Sequence, residues 1–266
     1  MRPAWSEPFA GDALRSVPTA DLGITHDWAF GGSTGAGVDV AVVDSGIDAT
    51  HPEVGEVATG TALTWDAYEE QVVVEDGPHG DLFGHGTACA GIIRRTAPAC
   101  RLHSVRVLGR QLSGKGPVFA AGLRHALTVA RVVNISLSTG RPEYFGLFHE
   151  IADEAAFRGV ILVCAVNNVA TPSYPSQFSS VISVAANDGA TAFDLDCNPA
   201  PPVEFGAPGI DVSVPWLGGA STVTTGNSFA APHVTGLVAL LLAKHPELTP
   251  YEVKTVLRAV ARNAAG

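Results

Sequence analysis

Residues 38–46 read Val-Asp-Val-Ala-Val-Val-Asp-Ser-Gly, an apolar, β-branched run that ends on a carboxylate and a Ser-Gly pair. Such a run predicts a buried strand, and the pair that follows predicts the turn that ends it. In open α/β sheets the reactive groups gather at the carboxyl ends of the strands. Asp44, at the end of this strand, is therefore a candidate functional residue, although an Asp that only caps the turn would show the same local pattern.

The rest of the chain alternates between apolar runs and segments with helical spacing. Strands are predicted at residues 38–43, 102–108, 132–137, 160–166 and 181–185, and helices at 86–93, 117–130, 148–157, 228–244 and 250–262. The pair Thr249-Pro250 fits the N-cap and the first position of the last helix. Alternation of this kind calls for a parallel sheet with right-handed crossovers. We expect an α/β fold of three αβα layers, with a mostly parallel central sheet flanked by helices.

The composition limits the class of protein. Hydrophobic residues make up 46% and charged residues 16% of the 266, which suits one domain whose sheet is covered on both faces. The net charge of −10 argues against nucleic acid as a partner, because phosphate binding needs a basic face. An acidic run between residues 66 and 81 is interpreted as a solvated loop, which would favour basic substrates. No apolar stretch approaches the roughly 18 residues of a membrane span, so no membrane partner is expected.

The cysteines and the first residues bear on location. Four cysteines in a chain of this length do not form a disulfide scaffold, and we expect them to be reduced thiols. Residues 1–17 contain no continuous apolar segment of the kind that a secretory signal has. A cytoplasmic location is therefore the expectation, together with folding that needs no propeptide.

His85 and Ser228 both lie where predicted helices begin. His85 precedes a segment of small residues, 86–91, which allow a helix to pack close to the sheet. Ser228 precedes a long apolar run, with Pro232 expected in the first helical turn, where a missing N–H costs nothing. Ser228 would then stand at the positive end of a helix, near unpaired backbone N–H groups. Taken singly, a loop histidine and a serine N-cap explain the two positions without catalysis.

Three motifs together carry a resemblance to a known family. Residues 44–52, 84–91 and 226–234 resemble, in this order, the three active-site signatures of the subtilisin-like (subtilase) serine protease family. The resemblance implies a subtilisin-like fold, serine endopeptidase activity and a catalytic triad of Asp44, His85 and Ser228. It also implies an N-terminal extension, residues 1–34, that packs on a peptidase domain at residues 35–266.

The resemblance includes residues outside the triad. Residues 165–168, Ala-Val-Asn-Asn, match the segment in which the family carries an oxyanion asparagine, and this implies that role for Asn168. Two further segments resemble the pair between which a peptide or protein substrate lies as an added strand. These segments are Ser136, Leu137 and Ser138, and Gly114, Lys115 and Gly116.

Several positions depart from the family pattern. Asn167, Ser138 and Asn227 stand where the family has glycine, glycine and threonine, and each changes a side chain near the expected substrate. The loop that binds calcium in many secreted members is missing after residue 93, so no calcium is expected there. Neither a metal nor a cofactor is assigned to the site, and the sequence leaves calcium binding elsewhere open. Cys89 lies one turn after the predicted catalytic histidine, and we hypothesise that mercurials abolish activity.

Three other functions compete with this interpretation. Residues 226–230 are one residue away from the G-x-S-x-G elbow of α/β-hydrolases, but no acid lies between Ser228 and the last histidine, His245. A structural zinc site would use His85, Cys89, Cys100 and His103, whose spacing fits loosely. A catalytically weak, subtilisin-like scaffold that binds peptides is the third alternative. The sequence leaves open the oligomeric state, and also whether the enzyme is dedicated to processing or cyclising a specific peptide.

Overall fold

A parallel β-sheet organises the structure, a computed structural model that describes residues 2–11, 13–18, 23–200 and 202–265. The strands are β1 Val17–Pro18, β2 Asp39–Asp44, β3 Thr59–Asp66, β4 Gln71–Asp76, β5 Arg101–Arg106, β6 Val132–Ile135, β7 Ile161–Ala165, β8 Ile182–Asn187, β9 Asp196–Cys197, β10 Phe205–Pro208, β11 Val212–Trp216, β12 Ala220–Thr224 and β13 Ala264–Ala265. The helices are α1 His26–Phe30, α2 His85–Thr96, α3 Gly116–Val129, α4 Phe145–Phe157, α5 Asn227–Lys244 and α6 Pro250–Ala259.

The main sheet places β2 near its centre. Within the described residues it has nine strands in the order β4-β3-β5-β2-β6-β7-β8-β10-β9. The strands between the two edges are parallel to their neighbours, and the edge strands β4 and β9 are antiparallel. A hairpin of β11 and β12 and a short pair of β1 and β13 lie outside this sheet. The α/β fold is thus confirmed, and the five predicted strands correspond to β2, β5, β6, β7 and β8.

Apolar side chains alternate between the two faces of the sheet. Val40 and Val42 of β2 join the core formed with α2 and α5, whereas Ala41 and Val43 join the core formed with α3 and α4. All of them are almost completely buried. Burial on both faces explains why this strand is a continuous apolar run in the sequence.

Helix α5 lies at the centre of one face. Its residues from Asn227 to Leu242 are almost all buried, and it packs against α2 and the strands β6, β7, β8 and β10. A helix that is apolar around its whole circumference has to be covered on all sides. The core therefore fixes the position of Ser228, its second residue. No helix in the described part of the chain is long and apolar enough to cross a membrane.

The last helix begins as the sequence predicts. The Thr249 hydroxyl accepts the N–H of Glu252 at 3.4 Å, and the Glu252 carboxylate accepts the N–H of Thr249 at 2.8 Å. Pro250 occupies the first helical position. This reciprocal capping stabilises the helix start by about 1 kcal/mol. The predicted N-cap is confirmed.

The acidic run is not the loop that its composition suggests. β3 and β4 form an antiparallel hairpin, and Asp66 Oδ1 caps its turn by accepting the N–H groups of Tyr68 and Glu69. Valines at residues 72–74 favour a strand, and carboxylates on an edge strand discourage pairing with another chain. The prediction of a loop is therefore wrong, because the valines between the acidic residues decide the secondary structure.

Residues before β2 also pack on the helices. The ring of Trp28 in α1 stacks on His245 with centroids 4.0 Å apart, and Lys244 Nζ donates to the Asp27 carbonyl oxygen at 2.6 Å. The extension predicted for residues 1–34 includes residues 1, 12 and 19–22, which lie outside the described residues. The described residues near the start of the chain contact the site itself, as shown below.

Candidate active site

Asp44 is buried at the carboxyl end of β2. Its side chain has no exposed surface, and its Oδ1 accepts the N–H of Ser45 at 2.7 Å. The Nδ1 of His85 lies 2.9 Å from both carboxylate oxygens. A buried carboxylate in this position holds the imidazole in the tautomer that carries a proton on Nδ1. The structure thus brings together two of the predicted site residues.

The first turn of α2 packs directly on the end of β2. His85 is its first residue, and Gly84 before it has a φ of 112°, a backbone conformation that favours glycine. A Cβ at Gly84 would also lie 2.6 Å from the indole of Trp216. A side chain at Gly86 would collide with the carbonyl oxygen of Gly46. The two glycines let the helix approach closely enough for the imidazole to reach the carboxylate.

Asp81 caps α2. From the sequence, this residue is assigned only to the acidic run between residues 66 and 81. Its Oδ1 accepts the N–H groups of Phe83 at 2.9 Å and Gly84 at 2.8 Å. Its Oδ2 accepts the N–H of Thr87 at 2.8 Å, and the Ser45 hydroxyl donates to Oδ1 at 2.8 Å. Asp81 therefore ties the start of α2 to the turn after β2. An acid shortly before a predicted helix start was the sequence signal for this cap.

The charge of Asp44 changes how readily His85 takes up a proton. Burial of the ring is the largest single influence and opposes protonation, but the charge and hydrogen bonds of Asp44, together with the contact of Cys89, outweigh it, so the pKa of His85 is raised well above the ordinary histidine value of 6.5. The imidazole is therefore a strong base for a histidine. A side chain of this kind accepts a proton readily from a hydroxyl.

A buried thiol lies beside the pair. Cys89 Sγ lies 3.9 Å from Asp44 Oδ2, 4.0 Å from His85 Nδ1 and 3.6 Å from the carbonyl oxygen of Ser228. Burial raises the pKa of this thiol, so it stays protonated at neutral pH. All four cysteines of the chain are buried and free of disulfides.

Ser228 is the second residue of α5, and Pro232 lies one turn beyond it. The helix begins at Asn227, so Pro232 falls in the second turn, and its predicted place in the first turn is wrong. Proline cannot donate to the carbonyl four residues earlier, which here is that of Ser228. The hydroxyl of Ser136 donates to that oxygen instead, at 2.8 Å. Ser136, predicted to bind substrate, thus holds the start of α5 with its side chain.

Ser228 lies next to His85 without a hydrogen bond between their side chains. The ring of His85 packs on that of Phe229, with centroids 5.3 Å apart. Across the described residues, hydrogen bonds join His85 to Asp44, and none joins it to the Ser228 hydroxyl. Catalytic hydrogen bonds are often long in unliganded sites and shorten when substrate binds.

Asn168 lies on an exposed loop after β7, beside the start of α5. Its Oδ1 accepts the backbone N–H of Asn227 at 2.8 Å. Because the oxygen end of the amide is engaged, the NH₂ end is the one left for a ligand. The N–H of Ser228 belongs to the first turn of α5, where backbone donors have no partner inside the helix. Two donors for an oxyanion therefore flank Asn227.

Asn227, which stands where the family pattern has threonine, is fully buried and joins four segments. Its Nδ2 lies 3.1 Å from the carbonyl oxygens of Ala4 and Asn167 and 3.3 Å from that of Val166. Its Oδ1 accepts the N–H of Ala186 at 2.9 Å. No short stretch of sequence reveals this role, because all of these partners are remote from Asn227 in the chain.

A cavity of about 590 Å³ lies between the two predicted substrate segments. Its wall includes Gly114, Lys115 and Gly116 from one segment and Leu137 and Ser138 from the other. The triad residues do not line it, but Ser136, which precedes Leu137, is bonded to Ser228 as described. The structure thus brings the two segments together at one side of the site.

The charged side chains in the wall of this cavity are both basic. They are Lys115 and Arg141, whereas the carboxylates of the β3–β4 hairpin do not contribute to the lining. Lys115 Nζ lies 4.6 Å from the ring centroid of Trp65, a favourable cation–π contact. The cavity is therefore suited to an anionic group.

The donor atoms of one group in the described chain lie close enough together to hold a metal ion. This group is Asp44, His85 and Cys89, whose donor atoms lie within 4.8 Å of one another. The four-ligand zinc site is wrong, because His103 is bonded to Asp39 at 2.8 Å and neither it nor Cys100 joins the group.

Comparisons of the sequence with known proteins agree with these motifs. The sequence profile of the Subtilase family matches residues 35–266. Subtilisin of Bacillus pumilus is 31% identical over 245 residues, a match that covers 86% of this chain and 86% of that protein. Subtilisin E of Bacillus subtilis (strain 168) is also 31% identical over 245 residues, which cover 86% of this chain and 62% of that protein. Subtilisin Savinase of Lederbergia lenta is 31% identical over 242 residues, 86% of this chain and 85% of that protein.

A solved structure has the same fold. The crystal structure of a cold adapted subtilisin-like serine proteinase aligns with a TM-score of 0.69 at 26% identity, over 88% of this chain and 86% of that chain. The profile covers most of the chain, and the sequence relatives are 31% identical to it over the aligned residues. The chain therefore belongs to the subtilase family and is a subtilisin-type serine endopeptidase.

Proposed function

We propose that this chain cleaves peptide bonds through a triad of Asp44, His85 and Ser228 and an acyl-enzyme intermediate. The observation that carries the proposal is the buried contact of His85 Nδ1 with both oxygens of Asp44, at 2.9 Å. With Nδ1–H engaged there, Nε2 is the ring nitrogen that accepts a proton. An oriented imidazole beside a helix start that carries a serine is the arrangement that activates a hydroxyl.

The proposed reaction has two stages. Ser228 Oγ attacks the peptide carbonyl carbon, and His85 Nε2 accepts the hydroxyl proton while Asp44 stabilises the imidazolium. The C–N bond then breaks as Nε2 passes that proton to the leaving amine. In the second stage a water molecule gives a proton to His85 and attacks the acyl carbon. The ester C–O bond then breaks as His85 returns that proton to Ser228 Oγ, which releases the new carboxylic acid and restores the free enzyme.

Two donors stabilise the charge that develops on the substrate oxygen. They are the Asn168 side-chain NH₂ and the backbone N–H of Ser228, and the N-terminus of α5 adds a positive potential. The Asn168 amide is oriented by its bond to the Asn227 N–H at 2.8 Å. In subtilisin, loss of one such donor lowers kcat by about 10²–10³.

The cavity between the two segments is the proposed place of the substrate. A peptide that lies there as an added strand would pair with the main chain of residues 114–116 and 136–138. Because the charged residues in its wall are Lys115 and Arg141, we infer a preference for an acidic side chain in this pocket. This differs from the basic preference that the acidic run suggests, and a peptide-library cleavage profile distinguishes the two.

We also propose that the enzyme is dedicated to processing or cyclising one specific peptide. Two changed side chains support a substrate range narrower than that of a general protease: Ser138 lines the cavity, and Asn167 precedes Asn168 on its loop. The acyl-enzyme can be resolved by water or by a peptide amine. Mass spectrometry of the products separates the two outcomes, because a cyclic product is lighter by one water than the hydrolysed peptide.

A serine-directed fluorophosphonate tests the proposal against the alternative of a catalytically weak, peptide-binding scaffold. We expect one label per chain on Ser228, with peptidase activity lost in proportion to labelling. The Ser228→Ala variant is expected to take no label, and the matched Ser179→Ala variant, at an exposed serine outside the site, is expected to be labelled like the unmodified chain. A protein that binds peptides but takes no label at Ser228 would favour the scaffold.

A further inference from the structure

Residues 2–10, here called the strap, lie against the loop that carries Asn168. The N–H of Ala4 donates to the carbonyl oxygen of Asn168 at 3.1 Å. The carbonyl oxygen of Ala4 accepts from Asn227 Nδ2, also at 3.1 Å. Both backbone groups of one strap residue are therefore bonded to the two asparagines that lie beside Ser228.

Phe9 anchors the strap in the core. Its side chain is 1% exposed and packs with Val166, Ala185 and Val203 in a cluster separate from the main cores. A Cβ at Gly206 of β10 would lie 2.5 Å from the Phe9 ring, so this strand leaves room for the ring. Val166 lies two residues before Asn168. The contact of Phe9 with Val166 therefore connects the strap to the loop of Asn168.

A tight turn fixes Ala4 between its two contacts. The N–H of Ser6 donates to the carbonyl oxygen of Pro3 at 3.3 Å, and Trp5 has a φ of 71°. A positive φ at the third residue is the pattern of a type II turn, in which Ala4 takes the second position. The side chain of Trp5 packs on the Phe9 cluster. The strap is therefore a folded element with its own internal order.

The loop of Asn168 has few other supports. Apart from the bonds that Asn227 makes to Asn168 Oδ1 and to the Asn167 carbonyl oxygen, its side-chain hydrogen bonds are local: Asn167 Oδ1 accepts the N–H of Val169 at 3.0 Å, and the N–H of Asn167 donates to Ser173 Oγ at 3.3 Å. Asn168 itself is exposed. In the described chain, the bond from Ala4 is the one that holds its carbonyl oxygen.

We propose that the strap is a positioning element of the oxyanion site. By holding the main chain of Asn168 through Ala4, and Asn227 through the same residue, it keeps the Asn168 amide aligned with the N–H of Ser228. A displacement of about 1 Å in a catalytic group can lower a rate by about 10²-fold, so a loop of this kind gains from external support. The inference rests on the proposed role of Asn168 as an oxyanion donor.

The Ala4→Pro variant tests this role. Proline fits the second position of a type II turn, but it has no N–H to give to Asn168. The matched variant Ala4→Ser keeps the N–H. We expect Ala4→Pro to lower kcat on a peptide p-nitroanilide about tenfold with KM changed less than twofold, and Ala4→Ser to match the unmodified chain. Rates are normalised by fluorophosphonate titration of the active serine, so that misfolded protein does not count.

A double-mutant cycle with Asn168→Ala distinguishes positioning from a general loss of stability. If the strap acts through Asn168, Ala4→Pro changes kcat less than twofold once that side chain is gone. A tenfold loss in both backgrounds, or no loss in either, would overturn the inference. Phe9→Leu keeps an apolar side chain in the cluster and replaces Ala4→Pro as the test if that variant does not fold. We expect Phe9→Leu to lower kcat in the unmodified chain but not in Asn168→Ala. If Asn168→Ala alone leaves kcat unchanged, the oxyanion role itself fails, and the strap inference fails with it.

Discussion

Asp44 and Asn168 lie in opposite environments within one site. Asp44 has no exposed surface and is bonded to groups at the end of β2 and the start of α2, two elements that pack directly on each other. Asn168 is exposed, and its partners Ala4 and Asn227 come from segments remote in the chain. The acid–base half is therefore held within the core, whereas the exposed Asn168 depends on contacts with segments remote in the chain. The two halves should respond differently to substitution.

Asp44→Asn breaks the buried half and has the largest expected effect. We expect kcat to fall about 10⁴-fold, because the amide favours the wrong tautomer of His85 and cannot stabilise its charged form. Asp39→Asn, at the other end of the same strand, is the matched control and is expected to change kcat less than twofold. Steady-state kinetics on one peptide substrate measures both. An Asp44→Asn enzyme within tenfold of the unmodified chain would contradict the assignment.

Asn168→Ala breaks the exposed half. We expect kcat to fall about 10²–10³-fold with little change in KM, because the donor acts on the transition state more than on the bound peptide. Asn198→Ala, which removes a half-buried asparagine outside the site, is the control. A rise in KM with kcat unchanged would instead assign Asn168 to substrate binding.

A mercurial reagent tests the position of Cys89, which lies between His85 and the start of α5. Cys89 lies 4.0 Å from His85 Nδ1 and 3.6 Å from the Ser228 carbonyl oxygen, so a bound mercury atom would displace the imidazole. We expect activity to fall more than tenfold, with Cys89→Ser resistant and Cys100→Ser as sensitive as the unmodified chain. Equal sensitivity of the Cys89→Ser enzyme would remove this explanation.

The pH dependence of kcat/KM tests whether Asp44 controls the protonation of His85. The reaction needs neutral His85, and Asp44 raises the pKa of that ring well above 6.5. Activity is therefore expected to be lost as pH falls through the raised pKa, by about tenfold per pH unit below the midpoint. A midpoint at or below 6.5 in the folded, active enzyme would show that the carboxylate does not control this histidine.

Ser136→Ala has the smallest expected effect. It removes the hydroxyl that donates to the Ser228 carbonyl oxygen, an oxygen to which Pro232 has no N–H to donate. Because this leaves a buried acceptor poorly satisfied, we expect the free energy of unfolding to fall by about 1–3 kcal/mol. Denaturant unfolding measures the change, and Ser138→Ala is the control. No loss of stability would mean that Cys89 or water satisfies this oxygen equally well.

The acid–base half was largely predictable from the sequence, because local signals define it. A strand that is apolar on both faces and ends in Asp44 gives a recognisable run, and the small residues after His85 mark the close approach of α2. The same local signals gave the strand and helix order. The family resemblance then placed the segments that line the cavity.

The remaining features depend on contacts that no short window contains. Pro232 was expected one turn too early, because the helix start is set by the packing of Asn227 and not by the proline. The hairpin of β3 and β4 was not predicted, because the acidic residues of this segment favoured a loop and the three valines at 72–74 were given less weight. The strap contact of Ala4 with Asn168 joins the start of the chain to a loop in the middle of the domain, and a pattern of residue types does not reveal such a pairing.

The central claim is that Ser228 forms a covalent acyl-enzyme with the help of His85. The most direct measurement is mass spectrometry of protein quenched with acid during turnover of a slowly deacylated peptide ester, followed by mapping of the acyl group. The account predicts acylation on the peptide that contains Ser228, strongly reduced in His85→Ala and absent in Ser228→Ala. An acyl group on another residue, or turnover that continues in Ser228→Ala, would contradict it.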